Sequence, residues 1–147
     1  MYKYLLLLHI LGATIWTGGH LVLAVTVLPR AVRSRSPEIL LQFESGFEKL
    51  GIPALIIQVI TGVWLAYLRI PSVTSWFALD NLASRLITGK LVLLLLTIML
   101  AAHARIRIIP RLSNTNLNFL AYHIIAVTFI SLLFVVLGVS FRTGGFF

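Results

Sequence analysis

The sequence contains no cysteine and few charged residues. Without cysteine, the chain cannot form disulfides, thiolate metal sites, iron–sulfur clusters or cysteine nucleophiles. Charged residues make up 11% of the 147 residues and hydrophobic residues 59%. Because a water-soluble domain needs far more charge than this, the composition is typical of a membrane protein.

Several sequence motifs of soluble enzymes are also missing. We find no nucleophile elbow, phosphate-binding loop, dinucleotide fingerprint or H-E-x-x-H pair, so the sequence offers no support for a soluble hydrolase, kinase or dehydrogenase. The formal net charge is +8. Since the basic residues cluster at the ends of apolar runs, membrane topology explains this charge better than binding of nucleic acid does.

Four long apolar runs dominate the sequence, at about residues 4–28, 47–68, 84–109 and 117–140. Each exceeds the ~20 residues that an α-helix needs to cross a bilayer, and none shows the alternation of a barrel strand. The first run is too long for a cleaved signal peptide and has no A-x-A-like site. We therefore predict one all-α domain over residues 1–147, an integral membrane four-helix bundle with up-down-up-down topology, surrounded by the lipid bilayer.

The basic residues of the loops predict the orientation of the bundle. Two groups follow the first and the third run: Arg30, Arg33, Arg35 and Lys49, and Arg105, Arg107 and Arg111. The positive-inside rule puts both groups in the cytoplasm and both termini on the outer side. Trp76 and Phe77, in the outer loop, are expected to lie at the membrane interface.

The segment "HILGATIWTGGH" puts polar side chains into the first span. At 100° per residue, His9 and His20 differ by only about 20° around the helix axis, and Trp16 lies close to the same direction. We expect this stripe to face the bundle interior, because polar groups at membrane depth avoid lipid. The two histidines are about 16 Å apart along the axis, so they cannot bind the same ion.

Three glycines share this segment with the histidines. They are Gly12, Gly18 and Gly19. In lipid, small residues at helix interfaces let the backbones approach closely. We therefore expect these glycines to serve helix packing.

A second set of polar residues is predicted near the cytoplasmic half of the bundle. His20, His103 and His123 come from three different spans, and Glu44 and Glu48 lie one helical turn apart before the second span. Imidazole with carboxylate is a ligand set for copper, zinc or iron, which makes these five residues candidate metal ligands. The alternatives are interfacial histidines and solvated or salt-bridged glutamates.

Two segments resemble a known family. "GFEKLGIPALIIQVITGVWLAYL" and "ASRLITGKLVLLLLTIMLAAHARIRIIPRL" resemble the copper-resistance protein D (CopD) domain, and the opening "H.LGA.IW.GG" is similar to the histidine-bearing helix of that family. This resemblance implies a multi-pass protein of the bacterial inner (plasma) membrane that binds copper or moves it across the membrane. The outer side, on which the positive-inside rule puts both termini, is then the periplasmic side. Because a bundle of this size has little room for a pore, transport would require a homo-oligomer.

The same architecture is similar to the HemJ-type protoporphyrinogen oxidases. His9, Trp16 seven residues later and Lys90 at the start of the third span match features of those four-span proteins, whereas His20 does not. This resemblance implies a haem b cofactor near His9, Trp16 and Lys90, and an oxidase that passes electrons to quinone. A third alternative is an accessory subunit of a larger membrane complex. We favour copper binding over haem redox chemistry, and the sequence does not decide whether the protein is an enzyme.

Overall fold

The computed structural model describes residues 1–113 and 115–145, and all regular structure in them is helical. The helices are α1 (Tyr2–Val22), α2 (Leu28–Ser34), α3 (Pro37–Arg69), α4 (Leu82–His103) and α5 (Leu117–Thr143). Among the described residues there are four helical stretches long and apolar enough to cross a membrane: Tyr2–Ser34, Pro37–Arg69, Leu82–Arg111 and Leu117–Thr143. The predicted all-α membrane fold is thereby confirmed.

The helical stretches are longer than the predicted spans. At 1.5 Å per residue, the 33 residues of Tyr2–Ser34 extend about 50 Å, whereas the hydrocarbon core is about 30 Å thick. The excess length carries the charged residues at one end of the bundle. Hydropathy therefore marks the part of each helix that lies in lipid, and the helix itself continues beyond it.

Two widened turns interrupt the first and third stretches. Leu23–Val27 and Ala104–Ile108 are π-helical, and in each the next amide donates to a carbonyl five residues back, Leu28 N–H to Leu23 and Ile109 N–H to Ala104. Each turn is followed, after one residue, by a proline. Because a proline ring crowds the carbonyl four residues before it, a wider turn at this place relieves the clash.

The first helix does not end at residue 28, where the predicted apolar run ends. Pro29 directly follows the widened turn and Leu28, and the helix continues to Ser34. It ends at Arg35, whose φ of 50° is left-handed. In the third stretch the helix tightens into a 3₁₀ turn at Ile109–Arg111 and ends there, as the sequence predicted.

A buried apolar cluster lies at one end of the bundle. It joins the ends of the first and third helical stretches to the beginnings of the second and fourth; its members are Leu23, Leu28, Ala31, Leu40, Ile108, Leu117, Leu120 and Ile124. Seven basic residues of the two predicted cytoplasmic groups belong to the segments at this end. The side of the membrane on which this end lies, and with it the up-down-up-down topology, stays a prediction.

The loop between α3 and α4 folds inward. Trp76 is only 5% exposed, and its indole N–H donates to the carbonyl of Ile70, 2.9 Å away. The expectation that Trp76 lies at the membrane interface is therefore wrong, whereas Phe77 is 58% exposed and remains available to the interface. After this loop, Asn81 and Ser84 form a reciprocal capping box that begins α4.

Candidate metal site and the intramembrane histidines

Two of the predicted metal ligands touch each other. The Nδ1 atom of His103, at the end of α4, lies 2.9 Å from the Nε2 atom of His123, in the second turn of α5. The ring centroids are 5.0 Å apart and the ring planes differ by 25°. Since the two nitrogens are much closer than the ring centres, the rings meet edge to edge with their nitrogens facing each other.

The backbone of α5 fixes the orientation of His123. Its Nδ1–H donates to the carbonyl of Phe119, 2.9 Å away and one turn earlier. Its Nε2 lone pair is then directed at His103, which donates its own Nδ1–H into the contact. A backbone hydrogen bond on the far nitrogen is the arrangement by which proteins set the tautomer of a metal-binding histidine.

The two predicted glutamate ligands lie in the first half of α3. Glu48 forms an ion pair with Arg105, two residues beyond His103, and the side chains are 30% and 60% exposed. Glu44, one turn before Glu48, is half-buried. The salt-bridged reading of Glu48 is thereby confirmed, and the ion pair holds the start of α3 against the end of the third helical stretch.

His20 lies in an aromatic cluster rather than against the histidine pair. Its ring centroid is 4.4 Å from that of Trp16 and 5.7 Å from that of Phe47, and its Nδ1–H donates to the Trp16 carbonyl. The Thr128 hydroxyl of α5 donates to the backbone carbonyl of His20, 3.2 Å away. The His20 ring thus faces α3, and its backbone contacts α5.

His9 contacts α3 near the opposite end of the bundle. Its Nδ1 lies 3.0 Å from the Thr61 hydroxyl and 3.1 Å from the Gln58 carbonyl. A Cβ at Gly62 would lie 3.0 Å from the Cε1 atom of His9. Because both His9 and His20 contact α3, the prediction that their stripe faces the bundle interior is confirmed.

Lys90 is half-buried and points toward α5. Its ammonium nitrogen lies 5.3 Å from the centroid of the Phe141 ring, and 3.6 Å from where a Cβ at Gly138 would be. This contact is a cation–π interaction between α4 and α5. It does not bring Lys90 into contact with Trp16, whose ring packs on His20.

The predicted ligands do not gather around one centre. Among residues 1–113 and 115–145, no group of three or more histidine, aspartate or glutamate side chains is arranged to hold a metal ion. The pair His103–His123 is the nearest approach to such a site, and it can offer two imidazole nitrogens. Two residues of these contacts were not identified from the sequence, Phe119 and Phe47. Phe119 contributes a backbone carbonyl and Phe47 contributes ring packing, and neither role produces a sequence motif.

The comparisons with known proteins point to one family. The model of the family described as copper resistance protein D matches residues 41–141. His103, His123, Glu44, Glu48 and Lys90 lie within the matched residues, and the first helical stretch lies outside them. None of the curated proteins and none of the solved structures compared with the chain matches it.

Proposed function

Since the chain belongs to the copper resistance protein D family, we propose that this multi-pass membrane protein binds copper through His103 and His123. The observation that carries the proposal is the contact of 2.9 Å between Nδ1 of His103 and Nε2 of His123. It joins two helices at the end of the bundle where the basic residues are concentrated, and it is built from imidazoles, which bind copper as they bind zinc, iron and nickel; the family assignment favours copper among these metals.

The chemistry of the two donors fits a copper ion. Each neutral imidazole has one ring nitrogen with a free lone pair, and at His123 the hydrogen bond to Phe119 leaves Nε2 as that nitrogen. For both facing nitrogens to hold a metal, the proton of His103 would move from Nδ1 to Nε2, so that each ring keeps one N–H and offers one lone pair. The two nitrogens, now 2.9 Å apart, would also have to move apart to admit the ion between them.

The surroundings of the pair permit this movement. The His103 side chain is exposed, and it is the last residue of α4 before the π-helical turn. Because the pair offers only two nitrogens, a bound copper ion would take any further ligands from water, from His20 or Glu44 after a rearrangement, or from a second copy of the chain. His20, Glu44 and Glu48 remain predicted ligands.

The helix packing around His9 fits a haem b group less well than the histidine pair fits copper. A porphyrin beside His9 would need α1 and α3 to separate, because these helices are closely packed there. A Cβ at Gly12 would lie 3.0 Å from the Ala54 carbonyl, and a Cβ at Gly62 would lie 3.0 Å from the His9 ring. Trp16 and Lys90 contact different helices, α3 and α5. A haem site at His9, Trp16 and Lys90, with electron transfer to quinone, stays a prediction that an optical spectrum tests.

The experiment measures copper in the purified full chain. Protein produced with added copper is purified in detergent under reducing conditions, and copper and iron per chain are determined by elemental analysis. We expect copper in the wild type and its loss in His103→Ala and in His123→Ala, because either change leaves a single imidazole. His9→Ala is the matched control and should retain copper.

Three results would contradict the proposal. Copper that stays bound in the double variant His103→Ala/His123→Ala would place the site elsewhere. Iron with a Soret band that His9→Ala abolishes would favour haem b. A wild type that binds no metal would favour the accessory-subunit alternative, provided that it elutes like the variants in size-exclusion chromatography.

A further inference from the structure

Two adjoining hollows lie beside the end of the first helical stretch. The first has a volume of about 360 Å³ and is lined by Thr26, Pro29, Arg30, Arg33 and Ser34. The second has a volume of about 260 Å³ and is lined by Thr26, Val27, Arg30, Ile39, Gln42 and Phe43. Thr26 and Arg30 line both hollows, which therefore adjoin at these two residues. We call the two hollows together the Arg30 groove.

The Arg30 groove combines basic side chains with apolar surface. Arg30 and Arg33, which lie three residues apart on one face of α2, line the first hollow, and most of its surface is apolar. The second hollow is lined by the apolar side chains Val27, Ile39 and Phe43 together with Arg30 and Gln42. A ligand that fits this lining has an anionic group joined to a hydrocarbon part.

The two guanidinium groups have no acidic partner of their own. In the part of the chain that the structure describes, neither Arg30 nor Arg33 has a carboxylate within salt-bridge distance, and no carboxylate lines the groove. The whole sequence has 12 lysines and arginines against 4 aspartates and glutamates. An arginine pair without a carboxylate is suited to a phosphate, which the planar guanidinium binds with two hydrogen bonds.

The position of the groove indicates the source of the phosphate. Arg30 and Arg33 follow the apolar part of a helix long enough to cross the membrane, so they lie at the level of lipid headgroups. Two guanidinium groups exceed the charge of one phosphodiester, and no carboxylate is present to pair with the ammonium of a zwitterionic headgroup. We infer that the Arg30 groove binds an anionic phospholipid, with its phosphate at Arg30 and Arg33 and its first acyl carbons at Val27, Ile39 and Phe43.

Native mass spectrometry of the full chain tests this inference. The delipidated protein is titrated in detergent with phosphatidylglycerol or with phosphatidylcholine of the same acyl chains. We expect preferential binding of phosphatidylglycerol and a loss of about fivefold in its affinity in Arg30→Gln, since one basic residue near a membrane surface contributes about 1 kcal/mol. Arg30→Gln/Arg33→Gln should lose more, and Arg30→Lys, which keeps the charge without the fork, should lie in between.

Two matched controls separate a built site from general attraction to basic protein. Arg111→Gln removes an exposed arginine at the same end of the bundle, and Arg142→Gln removes one near the end of α5. Both should bind phosphatidylglycerol as the wild type does. An equal loss in Arg111→Gln and Arg30→Gln would overturn the inference in favour of diffuse electrostatics.

A further arm distinguishes a lipid from a soluble anion. Inorganic phosphate, added at the lipid concentration and at a hundredfold excess, should leave the bound phosphatidylglycerol in place, because it cannot fill the apolar part of the lining. Displacement by phosphate at either concentration would overturn the lipid assignment. Size-exclusion chromatography and circular dichroism check that each variant is folded, and a folded Arg30→Gln/Arg33→Gln variant that keeps its preference for phosphatidylglycerol would also overturn it.

Discussion

The ring of Phe47 occupies the space in which a side chain at Gly19 would begin. A Cβ at Gly19 would lie 2.0 Å from Cε2 of Phe47, and a Cβ at Gly51 would lie 2.8 Å from Cε1 of the same ring. The ring is therefore enclosed by a glycine of α1 and a glycine of its own helix, α3. The rings of Trp16, His20 and Phe43 also pack near it.

Gly19→Ala should destabilise the protein by about 1–3 kcal/mol, because the added methyl group forces the enclosed ring to move. The measurement is unfolding in mixed micelles, followed by circular dichroism. Gly18→Ala is the matched control: nothing lies within 4 Å of its Cβ position, so it should be neutral or stabilising by about 0.5–1 kcal/mol. Equal losses in the two variants, or the same loss for Gly19→Ala in a Phe47→Ala background, would contradict this account.

Thr61→Val should cost more than Thr97→Val. Both hydroxyls donate to a carbonyl of their own helix, but the Thr61 hydroxyl also accepts the hydrogen bond from Nδ1 of His9. The additional loss should be about 0.5–1.5 kcal/mol, the usual net contribution of one hydrogen bond. The same unfolding assay measures it, and the difference between the two variants should disappear in a His9→Leu background.

The ion pair between Glu48 and Arg105 should contribute little to stability. Because the two side chains are 30% and 60% exposed, a double-mutant cycle with Glu48→Gln and Arg105→Gln should give a coupling of about 0.2–1 kcal/mol, which decreases with added salt. Glu48→Gln should also retain copper, since the carboxylate is engaged with Arg105. Loss of copper in Glu48→Gln with copper retained in Arg105→Gln would instead identify Glu48 as a ligand.

Acidification should release copper from the protein. The proposed ligands bind as neutral imidazoles, so protons compete with the metal and the affinity falls as the pH falls. Copper that remains after dialysis at a series of pH values measures this, and His9→Ala should follow the wild-type curve. Copper that is retained equally at about pH 7.5 and about pH 5 would contradict ligation by histidine alone.

Hydropathy and helical periodicity predicted much of this architecture from the sequence. The four apolar runs became the four helical stretches, because in lipid every backbone polar group must be satisfied within its own segment. The stripe of His9, Trp16 and His20 was predictable because all three lie within the regular part of α1. Within one regular helix, spacing along the sequence determines direction.

The same reasoning could not predict the contact between His103 and His123. It depends on the phase of α5 relative to α4, and the chain between these helices passes through a π-helical turn, a 3₁₀ turn and a loop. The glycines show a similar limit. Gly12 and Gly19 lie at close contacts as expected, whereas Gly18 faces open space, and only the positions of Ala54 and Phe47 distinguish them.

The π-helical turn at Leu23–Val27 determines the direction of every side chain that follows it in the first helical stretch. It holds one residue more than a regular turn, so Arg30 and Arg33 are rotated by about 100° from the directions that an uninterrupted helix would give them. If the same residues formed a regular α-helix, the Arg30 side chain would turn away from Gln42 and Phe43, whereas deletion of one residue from the widened turn would keep its direction. The widened turn, more than the composition of the segment, thus sets which part of the headgroup layer the protein can recognise.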